Sequence, residues 1–145
     1  MIVADTSALV AIVFDEPERD VFKAAIRKAG KVLISTVSVL ETRIVVHGRR
    51  RQRGLLLVDD LLRLPVFVQE PPTAADVEAA YSAFVVYGKG SGHPANLNFG
   101  DLFPYTLVKS RGLPLLFKGN DFSHTDIVPV LSLSAFQGIR GPAAP

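Results

Sequence analysis

The sequence predicts an α/β domain in which a central, mostly parallel sheet is covered by helices on both faces. Short apolar runs typical of buried strands alternate with longer segments whose charge order and caps are typical of helices. The chain has 145 residues, 48% of them hydrophobic, which suffices for one domain with its own core and not for two. No run of about 18 apolar residues is present, so we expect no transmembrane helix.

The first elements follow from apolar runs and from the order of charges. Residues 2–5 form a short apolar strand, and Thr6 or Ser7 is placed to cap a helix through residues 8–14. In residues 15–30 the acids come first, the bases last and a glycine ends the segment, which is the order that a helix dipole favours.

The rest of the chain repeats this alternation. The helix that begins at residue 36 is capped near Ser35 or Thr36, and Pro104 is tolerable in the first turn of the last helix. A loop rich in Gly, Pro and Asn covers residues 88–98. The remaining predicted elements are strands at 31–35, 65–70 and 113–119 with a short final strand at 126–131, and helices at 36–48, 55–64, 73–88 and 100–112.

The overall charge is too small to support nucleic-acid binding by itself. Sixteen Lys and Arg residues against 14 Asp and Glu residues leave a net charge of +2. The densest positive run is "HGRRRQRG", for which a solvated helix end and a nucleic-acid contact are equally favoured. The chain has no cysteine, which excludes disulfides and thiolate metal sites. It also begins without a signal-peptide pattern, so we expect a cytoplasmic protein.

Two acidic residues occupy positions that an apolar environment makes costly for a carboxylate. Asp5 ends the first apolar strand, and a buried carboxylate is unfavourable unless it is hydrogen-bonded, paired or bound to a metal. Glu41 taken alone is better explained as a side chain that reaches solvent from the edge of an apolar face. It nevertheless lies within the apolar stripe of its helix, which is formed by Val37, Leu40, Ile44 and Val45.

Two more acids have ordinary explanations when each is taken singly, and a third is a possible extra acid. Asp101 falls in the first turn of the last helix, where an acid contributes about 0.3–1 kcal/mol. Asp121 follows the apolar run "LPLLF" across a Lys-Gly-Asn turn, and Asp is a favoured turn residue. Asp126 receives less weight because no strand leads directly to it.

Four of these acids share one predicted edge of the sheet. In a parallel sheet the carboxyl ends of the strands and the starts of the next helices lie at the same edge, where ligands gather. Clustered carboxylates repel one another and hold protons, and a hard divalent cation such as Mg²⁺ or Mn²⁺ removes that conflict. Such a cluster supports two-metal hydrolysis of a phosphodiester, with the ions about 3.5–4 Å apart. The four acids are Asp5, Glu41, Asp101 and Asp121.

The segments that contain these acids also resemble a known family. "IVADTSALVAI", "SVLETRIVV" and "LNFGDLFPYTLVKSRGLPLLFKGNDFSHTDI", in this order, resemble the PIN-domain ribonucleases, specifically the VapC-type toxins of bacterial toxin–antitoxin pairs. The resemblance runs from residue 1 to about residue 132. It implies a PIN-like α/β/α sandwich, with a nuclease domain at 1–132 and a C-terminal segment at 133–145 that has little to pack against and is expected to be partly loose.

The resemblance also implies roles for the motif residues. Asp5 and Asp101 match metal ligands, and Thr6 and Ser7 match hydroxyl positions that orient the first acid or a bound water. The family's acidic quartet, which holds Mg²⁺ or Mn²⁺, is matched by Asp5, Glu41, Asp101 and Asp121, with Glu41 and Asp121 as the further candidate ligands.

Partners follow from the resemblance and from charge. The family implies an RNA substrate, a homodimer and a cognate VapB-type antitoxin whose C-terminal segment lies over the active site. Charge alone suggests which side chains contact RNA phosphates: Arg49, Arg50, Arg51, Arg53 and Lys118.

These observations favour a metal-dependent endoribonuclease that acts as the toxin of a type II toxin–antitoxin pair. One alternative is a PIN nuclease that processes RNA without being a toxin. A second is a receiver-like phosphoacceptor domain, which usually has paired acids after its first strand, whereas Asp5 is single. A third is an interaction protein without catalysis, against which the presence of all four acids argues.

Overall fold

A computed structural model describes residues 1–137 and residue 139, apart from the side chains of Arg50, Arg51 and Leu133. Its sheet has four parallel strands in the order β3-β2-β1-β4. The strands are β1 (Ile2–Ala4), β2 (Val32–Ser35), β3 (Phe67–Glu70) and β4 (Leu115–Leu116). The helices are α1 (Thr6–Val13), α2 (Arg19–Ala29), α3 (Thr36–Leu62), α4 (Ala74–Tyr87) and α5 (Leu102–Arg111), and short 3₁₀ helices occupy Asp121–His124 and Leu133–Phe136.

The side chains of β1 alternate between two apolar cores, one on each face of the sheet. Ile2 and Ala4 belong to the core that also contains residues of α1, α2 and α3. Val3 belongs to the core that contains residues of α4 and α5. Successive side chains of a strand point to opposite faces, so helices cover both sides of the sheet. This arrangement confirms the predicted α/β/α sandwich with a parallel sheet.

The arginine-rich run lies inside a helix. A single helix of 27 residues, α3, replaces the two separate helices predicted at 36–48 and 55–64, so the predicted interruption is wrong. Val46 and Val58, on either side of the run, are both fully buried. Packing at both ends therefore holds the intervening turns in helical form, because tertiary contacts override weak local propensity.

The buried face of α3 differs from the predicted apolar stripe. Leu40 and Ile44 are 58% and 62% exposed, whereas Ser38 and Thr42 are fully buried. Thr42 Oγ1 donates to the carbonyl oxygen of Ser38 at 2.7 Å within α3, and Thr6 Oγ1 of α1 lies 3.3 Å from the same oxygen. The predicted stripe is therefore wrong at Leu40 and Ile44, whereas Val45 packs against the core as predicted. Apolar periodicity does not detect buried hydroxyl residues such as Ser38 and Thr42.

Most other boundaries agree with the sequence to within a few residues. Gly30 ends α2 with a φ of 69°, in the left-handed conformation that favours glycine. Thr73 caps α4 through reciprocal hydrogen bonds with Asp76, as a capping box does. The predicted final strand at 126–131 is reduced to one bridge between Leu115 and Pro129.

The C-terminal segment is only partly described by the structure. Of the predicted loose C-terminal segment, residue 138 and residues 140–145 lie outside the described residues. None of the helices in the described part of the chain is both long enough and apolar enough to cross a membrane.

Candidate active site

Asp5 lies at the junction of β1 and α1, and only 5% of it is exposed. It is the N-cap of α1, because its carboxylate accepts hydrogen bonds from Ser7 N at 2.9 Å and from Ser7 Oγ at 2.5 Å. The prediction that Thr6 or Ser7 caps this helix is therefore wrong by one or two residues. Burial raises the pKa of Asp5; the hydrogen bonds from Ser7 counter that rise, and the charge of Glu41 adds to it.

Ser7 connects Asp5 to the chain beyond the last strand. Its hydroxyl donates to Asp5 and at the same time accepts a hydrogen bond from Lys118 N at 2.9 Å. One small side chain thus joins the carboxyl ends of β1 and β4, which are neighbours in the sheet. This geometry suits the supporting role that the sequence suggests for Ser7.

Glu41 reaches the same edge of the sheet from the second turn of α3. Thr6 Oγ1 donates a hydrogen bond of 2.6 Å to Glu41 Oε2. On its other side the carboxylate lies against the backbone of Gly100, where an added Cβ would be only 2.6 and 2.7 Å from Cδ and Oε2 of Glu41. Glu41 therefore lies between the residue that follows Asp5 and the residue that precedes Asp101.

Asp101 precedes the first turn of α5 and is held by the loop before that helix. Asn98 N donates to Asp101 Oδ2 at 2.8 Å, and Asp101 N donates to Asn98 Oδ1 at 3.1 Å. Burial raises the pKa of Asp101 to about 7, although the hydrogen bond from Asn98 opposes the rise. The negative charges of the other acids add to the rise, in the order Asp5, Asp121 and Glu41.

The structure brings all four predicted acids into one electrostatic neighbourhood. The pKa of Asp101 responds to the other three, including Asp121, an exposed residue that begins the 3₁₀ helix after β4. Within the described residues, however, no three His, Asp or Glu side chains form a group that could hold a metal ion. The carboxylates are near one another without being a closed ligand set, an arrangement that their mutual repulsion favours.

The donor chemistry of this edge fits a hard divalent cation. Its candidate ligands are carboxylate oxygens, which suit Mg²⁺ and Mn²⁺. Burial and the neighbouring negative charges raise the pKa of Asp101, so its ionised form is unfavourable at this edge. A cation bound at this edge would compensate these negative charges.

Asp126, the possible extra acid, does not lie with the other four acids. It accepts hydrogen bonds from Tyr105 Oη at 2.8 Å and from Lys109 Nζ at 2.6 Å. The bond from Lys109 is the main reason that the pKa of Asp126 is lowered. Lys109 lies about 12 Å beyond Asp101 along the axis of α5, so this ion pair is separate from the acidic edge.

Two of the candidate RNA-binding residues form ion pairs with acids to which the sequence analysis assigned no role. Lys118 Nζ lies 2.7 Å from Glu16 Oε2 and 2.9 Å from Glu18 Oε2. Arg49 lies 3.9 Å from the other oxygen of Glu16 and 5.1 Å from the centre of the Phe14 ring. Two of the candidates thus share one carboxylate.

The other three candidates, all in α3, are less informative. Arg53 is exposed. The side chains of Arg50 and Arg51 lie outside the described part of the structure.

Two residues of the site were not assigned a role from sequence. Asn98 had a detectable signal, since Asn and Asp side chains close in sequence often bond to nearby backbone N–H groups in turns. Gly100 had no such signal in the sequence, because the lack of space for a side chain there comes from Glu41, which is distant along the chain.

The chain is similar to known proteins over most of its length. The model of the PIN domain matches residues 2–128. The chain belongs to the PIN-domain family. Among its relatives, VapC ribonuclease Mb0640 of Mycobacterium bovis is 45% identical over 128 residues, which cover 88% of this chain and 97% of the relative. Ribonuclease VapC28 of Mycobacterium tuberculosis is 41% identical over 125 residues, which cover 86% and 94%.

A solved structure shows the same fold. Mycobacterium tuberculosis VapC20, described as a toxin that cleaves the sarcin-ricin loop, matches with a TM-score of 0.73 over 88% of this chain and 97% of that one. At 19% identity this likeness concerns the fold alone. The PIN-domain match and the VapC relatives confirm the resemblance drawn from the motifs, and they decide against the receiver-like alternative.

Proposed function

We propose that this PIN-domain protein is a metal-dependent endoribonuclease that hydrolyses RNA phosphodiester bonds as the toxin of a type II toxin–antitoxin pair. The observation that carries the proposal is that Asp5, Glu41 and Asp101 are held at one edge of the sheet, through Ser7, Thr6 and the loop that contains Asn98. Burial and the neighbouring acids raise the pKa of Asp101 there to about 7. A hard cation would stabilise an edge where negatively charged side chains lie near one another in this way. Relatives with 41% and 45% identity are named ribonucleases, which supports the choice of RNA as substrate.

Asp5 and Asp101 are the proposed metal ligands, with Glu41 and Asp121 completing the acidic quartet. Held by these residues, Mg²⁺ or Mn²⁺ would supply activation of a water and stabilisation of the leaving oxygen. The water's oxygen would bond to phosphorus as the bond from phosphorus to O3′ breaks, which leaves 5′-phosphate and 3′-hydroxyl ends. No side chain of the protein is required as a nucleophile.

The protein's own residues hold the carboxylates in place. Ser7 donates to Asp5, and Thr6 donates to Glu41. The loop that contains Asn98 holds Asp101 by two hydrogen bonds. Loss of such a contact to a ligand carboxylate typically lowers metal affinity or activity by about 10–100-fold.

RNA is proposed to approach along the side of the acidic edge where α1, α3 and the end of β4 meet. Lys118 has its backbone N–H bonded to Ser7, so it begins at this edge. RNA phosphates would compete with Glu16 and Glu18 for Lys118, and with Glu16 for Arg49. The proposed contacts are Arg49, Arg50, Arg51, Arg53 and Lys118.

We also propose that the protein forms a homodimer and is inhibited in the cytoplasm by a VapB-type antitoxin that covers the active site. The absence of cysteine fits a reducing compartment. Exposed apolar side chains support contact with other chains, since large apolar patches mark interaction surfaces. They form two groups on opposite sides of the sheet. Near the end of α3 these are Leu56 and Leu57, and along α4 and the loop before α5 they are Val77, Tyr81, Phe84, Val85 and Phe99.

Cleavage of RNA by the purified protein, freed of any antitoxin, tests the enzymatic part of the proposal. We expect cleavage with Mg²⁺ or Mn²⁺, none with EDTA, and none in Asp5→Asn. Asp20→Asn is the matched control, because Asp20 lies on the surface of α2 in contact with Arg19. If the wild-type protein neither binds metal nor cuts RNA under these conditions, the proposed activity is wrong.

Growth on expression tests the biological role. A toxin should arrest growth, and co-expression of the neighbouring gene's product should relieve the arrest. An active nuclease that leaves growth unaffected would instead support the alternative of a PIN nuclease that processes RNA.

A further inference from the structure

Gly100 is a glycine whose backbone does not require one. Gly30, Gly90, Gly92, Gly112 and Gly119 have φ values between 61° and 101°, where other residues are strained, yet all five have open space where a Cβ would lie. Gly100 is the reverse case. Its φ lies outside that left-handed region, but a Cβ would meet three atoms of the Glu41 carboxylate. Glycine is needed at position 100 because a side chain would collide with Glu41, and not because of the backbone conformation.

The Glu41 carboxylate is confined from two sides. Thr6 Oγ1 donates to Oε2 at 2.6 Å on the side of Asp5, and the backbone of Gly100 lies against the same carboxylate on the side of Asp101. A Cβ at position 100 would be 2.6 Å from Cδ and 2.7 Å from Oε2, and nearer still to Oε1. Ordinary contacts begin at about 3.4 Å, so the carboxylate would have to move by close to 1 Å.

We propose that Gly100 is a positioning residue that sets the place of the Glu41 carboxylate beside Asp101. This inference rests on the proposed metal-dependent function, since a displaced Glu41 matters only if its carboxylate serves the metal. Because Gly100 has no side chain, Glu41 of α3 can lie against the loop that carries Asp101. Glu41 is thereby placed between Asp5 and Asp101. Gly100 itself touches neither metal nor RNA in this role.

Titration of the metal-free protein with Mn²⁺ tests the inference without depending on RNA cleavage. We expect Gly100→Ala to weaken Mn²⁺ binding by about 10–100-fold, the range found when contacts that orient a metal ligand are lost. Gly48→Ala is the matched control, because Gly48 has an ordinary φ and nothing within 4 Å of an added Cβ. It should leave Mn²⁺ binding unchanged.

Glu41→Asp tests whether the effect passes through Glu41. Aspartate is one methylene shorter, so its carboxylate leaves room for a Cβ at position 100. Gly100→Ala should therefore weaken Mn²⁺ binding much less when combined with Glu41→Asp than it does alone. An equal loss in both backgrounds overturns the proposal, and so does an unchanged affinity in Gly100→Ala.

Thermal unfolding of each variant without metal shows whether the protein is folded. If Gly100→Ala fails to fold even when combined with Glu41→Asp, the crowding does not come from Glu41 and the proposal is wrong. If the wild-type protein itself binds no Mn²⁺, the proposed function fails. If the wild type binds Mn²⁺ and Gly100→Ala binds it equally well, only the inference about Gly100 fails.

Discussion

Replacing Asp101 by Asn should stabilise the metal-free protein while removing its response to metal. Asn has nearly the same shape as Asp, and its side-chain oxygen can still accept the hydrogen bond from Asn98 N. What disappears is a negative charge that is partly buried near Asp5, Asp121 and Glu41. The substitution thus separates the energetic cost of the acidic edge from its function.

The expected gain follows from the pKa of Asp101, which rises from an ordinary value of 3.8 to about 7. Each pH unit of difference corresponds to about 1.4 kcal/mol, so the upper limit is about 4 kcal/mol. Asp101 is partly exposed and solvent screens its charge, so we expect a gain of about 2–4 kcal/mol in the free energy of unfolding.

The direction in which stability changes with pH depends on whether the folded or the unfolded chain binds the Asp101 proton more tightly. The folded protein binds the Asp101 proton more strongly than the unfolded chain does, so this group's contribution to stability falls as pH rises from about 4 to about 7. The gain in Asp101→Asn should therefore be near zero below pH 4, increase through that interval and be constant above about pH 7.

Urea unfolding in EDTA at a series of pH values measures this gain. Asp20→Asn is the control, because the hydrogen bond from Arg19 lowers the pKa of Asp20 and its removal should not stabilise the protein. A gain in Asp101→Asn that is absent at pH 8, or that is the same at every pH, would refute the reasoning. Adding Mn²⁺ should raise the unfolding midpoint of the wild type and not that of Asp101→Asn.

Three further substitutions test other parts of the structure. Ser7→Ala removes the hydroxyl that holds Asp5, and we expect about 10–100-fold weaker Mn²⁺ binding, whereas Ser82→Ala on the exposed face of α4 should have no effect. Thr73→Ala removes the reciprocal cap of α4 and should lower the free energy of unfolding by about 1 kcal/mol, measured in urea. Phe22→Ala leaves a cavity in the core, where Phe22 is fully buried, and should lower it by about 3–5 kcal/mol; a loss below 1 kcal/mol would contradict the packing described.

Much of the fold was predictable because its signals are local. The apolar run before Asp5, the cap at Thr73 and the glycine that ends α2 each act within a few residues, and all three appear where expected. The order of strands and helices then implies a parallel sheet, and such a sheet places Asp5 and Asp101 at one edge. The sequence alone therefore predicts the fold and the candidate acids.

The two errors in α3 have a common cause. The helix continues through the arginine run, and its buried face uses Ser38 and Thr42 in place of Leu40 and Ile44. Both features depend on how α3 packs against the rest of the domain, which periodicity within α3 does not report. The Thr42 hydroxyl bonds to the Ser38 carbonyl oxygen within α3, and Thr6 of α1 approaches the same oxygen at 3.3 Å, so small side chains suit this close contact between the helices.

The sequence alone determined the alternation of elements, the acidic residues and the family resemblance, since each depends on neighbouring residues or short motifs. Only the tertiary structure decided that Glu41 lies between Thr6 and Gly100 and that Lys118 is paired with Glu16 and Glu18. These contacts join residues that are distant along the chain. Their distances are set by how the helices pack on the sheet, which no local pattern of residues encodes.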